Sequence, residues 1–230
     1  MIDYKIEAAK AALKFIKPGQ VIGLGAGSTV AHLIDLIRQH KALAASIVFV
    51  SSSFKTNAYL LHNELNVQSP LLTRHIDIYF DGCDQFDKNL NALKSGGGIH
   101  TTEKILAAMA AAFILMGDEG KYVEKLDITY PLVVEILPVA LHLVQSKLAD
   151  LFPDAAIKLR MSSQKDGALI SENGNYLADI YFKVLKDLQT LDIEVNMIPG
   201  IVAHSLFYRM AGKAIIAGKD GVRIISQLPL

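Results

Sequence analysis

Over its first two thirds the chain alternates short apolar runs with longer stretches of helical spacing, and few folds accommodate that alternation. Residues 20–25 form an apolar run ending in glycines, and residues 28–38 follow with Val30, Leu33, Ile34 and Ile37 on one helical face. Ile47-Val48-Phe49-Val50 predicts a second strand, followed by a helix over 54–65. Ile76-Asp77-Ile78-Tyr79-Phe80 predicts a third strand, and a helix over 102–112 leads into Phe113-Ile114-Leu115-Met116. Strands and helices in this order imply a parallel sheet covered on both faces, an α/β class. After Pro131 the pattern changes to a strand over 133–136, an amphipathic helix over 138–151, a hairpin over 168–179 turning at Asn173-Gly174, and a helix over 185–193. These predict a small α+β domain inserted near the C-terminus, after which 214–218 and 222–225 return to the main sheet.

At 230 residues, 51% of them hydrophobic, the chain can bury one large core or a large and a small one. Its longest apolar run, residues 105–116, is short of the roughly 18 residues that a membrane span requires. Met1-Ile2-Asp3-Tyr4-Lys5 shows no secretory signal pattern. The single cysteine, Cys83, excludes an internal disulfide framework and suits a reducing cytoplasm. Lys plus Arg and Asp plus Glu number 23 each, so no overall field draws the chain to nucleic acid or to an anionic membrane. The expected partner is a small molecule.

Chemistry-bearing residues concentrate between Asp81 and Glu103. Asp81-Gly82-Cys83-Asp84 ends a predicted central strand, where open α/β sheets place their ligand crevice. Asp81 and Asp84 there can hydrogen-bond sugar hydroxyls or move protons between oxygens, or one of them caps the following turn. Lys94-Ser95-Gly96-Gly97-Gly98 sets a point charge beside bare backbone donors, suited to an oxyanion, although a lone loop lysine is ordinarily just solvated. Glu103, at a helix start, is the candidate base. Its location carries a tension: the helix dipole lowers a carboxylate pKa, whereas base chemistry near neutrality favours raising it.

Two further segments suit a phosphate. Gly23-Leu24-Gly25-Ala26-Gly27-Ser28-Thr29 follows a strand and opens a helix, so its backbone N–H groups and the Ser28 and Thr29 hydroxyls can meet an anion. The bland reading is a tight turn with Ser28 as N-cap. It lacks the Gly-Lys-Ser/Thr of a P-loop and the spacing of the dinucleotide fingerprint. Lys121, after the strand ending at Met116, offers a cation from a second loop or is an exposed turn residue. The seven histidines have no ligand spacing, which leaves a metal site unsupported. His100 reads as a neighbour of the helix start, and Cys83 as a packing residue.

Taken together the motifs resemble those of the ribose-5-phosphate isomerase family of the A type, nearly end to end. Gly25-Ala26-Gly27-Ser28-Thr29 resembles the family's Gly-Thr-Gly-Ser-Thr, and Asp81-Gly82-Cys83-Asp84-Gln85 its Asp-Gly-Ala-Asp-Glu. Lys94 to Gly98, continuing to Thr101-Thr102-Glu103-Lys104, resembles its Lys-Gly-Gly-Gly and Arg-Glu-Lys segment. Pro131 to Pro138, Glu172-Asn173-Gly174-Asn175, and Ile198-Pro199-Gly200-Ile201-Val202 with Leu206-Phe207 are similar to later family motifs.

The resemblance implies interconversion of D-ribose 5-phosphate and D-ribulose 5-phosphate through an enediolate, in the non-oxidative pentose phosphate pathway, with no metal or organic cofactor. It implies Glu103 as the base moving a proton between C1 and C2, with Asp81, Asp84 and Lys94 handling ring opening and the oxyanion. Substrate would be bound by Ala26, Gly27, Ser28, Thr29, Gly82, Cys83, Ser95, Gly96, Gly97 and Lys121, with Lys5 a further addition. It also implies a Rossmann-like catalytic domain (1–130 plus 206–230), a ferredoxin-like small domain (131–205), and a homodimer or homotetramer. Ala26, Gln85, Ser95, Thr102 and Leu141 depart from the family pattern without removing a proton-transfer group. Losing the threonine hydroxyl at position 26 costs roughly 0.5–1.5 kcal/mol of phosphate binding. A sugar-phosphate sensor would not need Glu103, and a nucleotide-binding Rossmann protein would carry an acidic residue where Val50-Ser51-Ser52-Ser53 stands. An isomerase for another sugar phosphate stays open.

Overall fold

The structure, a computed structural model, describes residues 3–227. The chain begins with α1 (Tyr4–Leu13), β1 (Val21–Leu24), α2 (Ser28–Gln39), α3 (Lys41–Ser46), β2 (Val48–Ser51), α4 (Phe54–His62) and β3 (Ile76–Asp81). It continues through β4 (Gln85–Asp87), β5 (Ala92–Leu93), α5 (His100–Met109), β6 (Ala110–Asp118) and β7 (Tyr122–Val123). The remainder is β8 (Leu132–Ile136), α6 (Leu141–Leu151), β9 (Ala156–Leu159), β10 (Tyr176–Tyr181), α7 (Leu188–Asn196), β11 (Ile201–His204), β12 (Leu206–Phe207), β13 (Lys213–Gly218) and β14 (Gly221–Ser226).

The main sheet has six strands in the order β14-β13-β6-β3-β1-β2, parallel except for the antiparallel edge strand β14. Alternation along its strands feeds two cores, as expected of a sheet covered on both sides. Ile114 and Met116 of β6 pack with Ile215 of β13 and with Ala8, Leu33, Ile37 and Leu60 of α1, α2 and α4. Phe113 and Leu115 of β6 pack on the other side with Leu106 and Ala107 of α5. The α2 stripe of Val30, Leu33, Ile34 and Ile37 is buried as its spacing predicts. A second, four-stranded sheet runs β11-β8-β10-β9, and a third small sheet runs β12-β5-β4-β7.

Several boundaries differ from the expectations. Helix α5 starts at His100 and ends at Met109, because Ala110 to Ala112 already belong to β6 beside β3. The Asn173-Gly174 turn is present, with Gly174 at φ +80° and its N–H donating to the Ser171 carbonyl. Its first limb makes only isolated bridges, and the main partner of β10 on that side is β9. The third sheet was not foreseen, nor was α1, whose buried face is built from Ala8, Ala9, Ala11 and Ala12. Among the described residues no helix is long and apolar enough to cross a membrane.

Candidate active site

Strand β1 pairs with β2 on one side and β3 on the other, so the order reverses at the C-terminal ends of β1 and β3. There the Gly25 N–H donates to the Phe80 carbonyl at 2.9 Å, which sets the glycine loop against Asp81. A Cβ on Gly25 would overlap the Asp81 carboxylate, so this approach requires glycine. Gly27, at φ +102°, takes the N-cap position of α2 that the bland reading gave to Ser28. No side chain caps the helix and no acidic residue lies in its first turn, so its leading N–H groups are left for an anion. Ser28 is exposed at this end and Thr29 is buried.

Asp81 is 1% exposed and well supplied with donors: Oδ1 accepts from the N–H groups of Gly82 (2.7 Å) and Ala26 (3.2 Å), and Oδ2 from the Tyr79 hydroxyl (2.6 Å). The antiparallel turn from β4 into β5 returns the chain so that Lys94 follows directly. Lys94 Nζ sits 2.8 Å from Asp81 Oδ2 and 3.3 Å from Glu103 Oε1, and it donates to the Gly82 carbonyl. Burial opposes a charge on this lysine, but the Asp81 and Glu103 carboxylates outweigh it and raise its pKa. Glu103 is itself 5% exposed. Burial, then the charge of Asp81, raise its pKa to about 8 against the opposing effect of Lys94. Burial thus moves this carboxyl in the direction that base chemistry near neutrality favours.

These groups line a cavity of about 310 Å³ with Lys5, Ala26, Gly27, Ser28, Thr29, Gly82, Cys83, Asp84, Gly97, Asp118 and Lys121. Ser95 and Gly96 have a different job. Their N–H groups both donate to Asp84 Oδ2, at 2.6 and 2.9 Å, while the Ser95 hydroxyl donates to the Pro131 carbonyl. They fix Asp84 and stand outside the cavity lining, so the Gly96 N–H, one of the backbone donors expected for an oxyanion, is used within the protein, while Gly97 lines the cavity. Burial pushes the Cys83 thiol up to about 12, so it stays protonated and wall-like. Tyr79, which buttresses Asp81, carries no motif by which sequence reasoning could have found it, while Phe207, whose ring centroid lies 5.7 Å from Lys94 Nζ, belongs to the Leu206-Phe207 motif, which by itself assigns it no place at the site.

One cavity thus brings together the Lys94, Asp81 and Glu103 cluster and the α2 N-terminus with Lys5 and Lys121. Lys121→Ala should raise KM for a phosphorylated substrate about ten- to a hundredfold, the loss of one charge-assisted contact, with kcat nearly kept. Steady-state kinetics showing an unchanged KM would exclude Lys121 as a phosphate-binding residue.

Residues 48–221 match the family described as ribose 5-phosphate isomerase A (phosphoriboisomerase A). Ribose-5-phosphate isomerase A of Pyrococcus abyssi is 37% identical over 98% of each chain. The chain belongs to the ribose 5-phosphate isomerase A family. Among solved structures, ribose 5-phosphate isomerase A of Methanocaldococcus jannaschii superposes with a TM-score of 0.88 at 33% identity, covering 97% of this chain and 98% of that one. A D-ribose-5-phosphate isomerase solved in complex with phospho-erythronic acid reaches a TM-score of 0.90 at 35% identity, covering 97% of each chain.

Set against the family pattern, the departures have local explanations. Gln85 exchanges two bonds with the Asp127 loop, its Nε2 donating to Asp127 Oδ1 (2.9 Å) and its Oε1 accepting from the Asp127 N–H (3.0 Å). It is therefore a loop fastener. Ala26 contributes its backbone N–H to Asp81, which no side chain alters. Leu141 begins α6 and packs against the core of the four-stranded sheet. Nothing in the structure explains Thr102.

Proposed function

We propose that this cavity is an isomerase site at which the chain interconverts D-ribose 5-phosphate and D-ribulose 5-phosphate. The single observation that carries the reading is a buried glutamate with a raised pKa beside a lysine bridging two carboxylates, lining one cavity with an uncapped helix N-terminus, Lys5 and Lys121. The phosphate sits at the α2 N-terminus with Ser28, Thr29, Lys5 and Lys121, which fixes the sugar for proton transfer. Asp81 and Asp84 serve ring opening by moving protons at the sugar oxygens. Glu103 then takes the proton from C2 of the open aldose, leaving an enediolate whose charged O1 faces the Lys94 ammonium. Return of that proton to C1, with the O2 proton passing to O1, completes the ketose. A phosphorylated sugar acid, the ligand of the structural relative, carries an anion at each end and supports this two-ended reading.

The test is conversion of ribose 5-phosphate to ribulose 5-phosphate, with other pentose and hexose phosphates as comparators; no turnover of ribose 5-phosphate would overturn it. A pH profile follows from Glu103. Because its pKa is raised, the basic form accumulates only as pH climbs, so kcat/KM should rise towards a plateau above about pH 8. A profile already flat from pH 5.5 upward would contradict the burial of the base.

We extend the proposal to the setting: a cytoplasmic homodimer or homotetramer in non-oxidative pentose phosphate metabolism, using no metal or organic cofactor and binding neither nucleic acid nor membrane. The lone cysteine and the balanced charge support it. We also take residues 1–130 with 206–230 as the catalytic domain and 131–205 as the small one. In support, the core around Leu132, Val134, Val144, Leu148, Leu191 and Val195 is separate from the two cores of the main sheet.

A further inference from the structure

The helix that carries Glu103 lacks a cap of its own. Ile99 occupies the N-cap position of α5 and makes no side-chain bond. The first turn is instead tied to the four-stranded sheet by side chains. Thr101 Oγ1 donates to Glu135 Oε2, and His100 Nε2 donates to the Ala203 carbonyl at 3.3 Å. Thr101 and Glu103 are two positions apart, about 200° around a helix, so one points into the small sheet while the other faces the cavity.

Glu135 is an odd residue to find in that sheet. It is fully buried in β8, an inner strand otherwise built from Leu132, Val133, Val134 and Ile136. It does not line the cavity. A buried carboxylate is costly unless its oxygens are satisfied, and a hydrophobic residue would pack there more cheaply. Its oxygens are satisfied by the Ser171 hydroxyl (2.6 Å), by Asn175 Nδ2 (2.8 Å) and Asn173 Nδ2 (3.1 Å), and by Thr101. The first three come from the turn preceding β10 and hold Glu135 in one place. Among the described residues, Thr101 is the only donor from the α5 side. Burial alone would raise the Glu135 pKa, but these donors outweigh it and hold it below the usual carboxylate value, so the anchor is an anion.

We propose that Glu135 is a positioning residue: through Thr101 it fixes the first turn of α5 and so the location of the Glu103 carboxylate over the reacting carbons. The small sheet thereby acts as the mount for the base. This rests on the assignment of Glu103 as the proton-transfer group and adds to it the device that aims it. A shift of about 1 Å in a reacting group can cost a hundredfold in rate, which gives the bond its leverage.

The experiment compares Thr101→Val, Thr101→Ser and Glu135→Gln with Glu103→Gln, using ribose 5-phosphate as substrate and counting folded sites by titration with phospho-erythronic acid. Valine keeps the shape of threonine without the hydroxyl. Per folded site, Thr101→Val should lower kcat about ten- to a hundredfold with KM within about twofold of wild type, because the phosphate end is untouched. Thr101→Ser, which keeps the donor, should recover kcat to within about threefold, and Glu135→Gln should resemble Thr101→Val. A Thr101→Val enzyme with kcat within about twofold of wild type, or a serine variant as slow as the valine one, would overturn the proposal. If Glu103→Gln itself keeps its kcat, the base assignment has failed instead, whatever the other variants do.

Discussion

Replacing Glu103 with glutamine should lower kcat for ribose 5-phosphate by about 10²- to 10⁴-fold, the range for removing a general base, while KM changes little. The amide fills the same volume but cannot take a proton from carbon, and the residues proposed to hold the phosphate, Ser28, Thr29, Lys5 and Lys121, are unaffected. Folding should survive. Glu103 is buried with its pKa raised from 4.5 to about 8, so the folded state binds its proton more tightly than the unfolded chain does. The stability this confers is fully present below pH 4.5 and is lost as pH rises through about 8. Wild type should therefore lose stability over that window relative to Glu103→Gln, and thermal melts at pH 5 and pH 8.5 measure the widening difference. Retention of most of the wild-type kcat would remove Glu103 from the reaction; a pH-independent difference in melting would show that its carboxyl is not held protonated by burial.

What could be read from the sequence was the period and the motifs. Val30, Leu33, Ile34 and Ile37 announced a helix face, and β3 and β6 were apolar enough to be central strands. Asp81, Lys94 and Glu103 stood out because charge beside glycine is expensive in a core, and the fold brings them within ion-pair distance. Short-range pattern failed where elements are too short or too plain to have one. Strands β4, β5 and β7 span two or three residues each, below any periodicity, yet they return Lys94 to Asp81. Helix α1 buries only alanines on its inner face, which carry little hydrophobic contrast, although Asp3 capping the Lys5 N–H was a legible start signal. The roles of Ser95 and Gly96 depended on where Asp84 would fall, and the sign of the Glu103 shift depended on how deeply it would be buried. Both are tertiary outcomes.

Lys94→Met should be the most damaging single change, because it removes the cation that makes two buried carboxylates tolerable. Asp81 and Glu103 lie 2.8 and 3.3 Å from its Nζ, all three groups being less than a tenth exposed. Stripping one partner from such a cluster typically costs about 3–5 kcal/mol, since the remaining charge is neither paired nor hydrated. The cluster can relax only by taking up a proton. Lys94 is among the influences that lower the Glu103 pKa, so without it that pKa moves further up and the side chain stays neutral over a wider range. The destabilisation should then be greatest above pH 8, where the wild-type cluster is ionised, and should shrink as pH falls towards 5. Under the proposed mechanism activity should drop by about 10²-fold or more, because the enediolate oxygen loses its counter-charge and the base stays protonated to higher pH. Arginine should not rescue, as a planar fork cannot occupy the place of a point charge that also donates to the Gly82 carbonyl. Urea unfolding at pH 5 and pH 8.5, run beside the ribose 5-phosphate assay, decides the matter. A stability loss equal at both pH values would mean that Lys94 acts through packing, and the bridged-carboxylate account of this site would have to be abandoned.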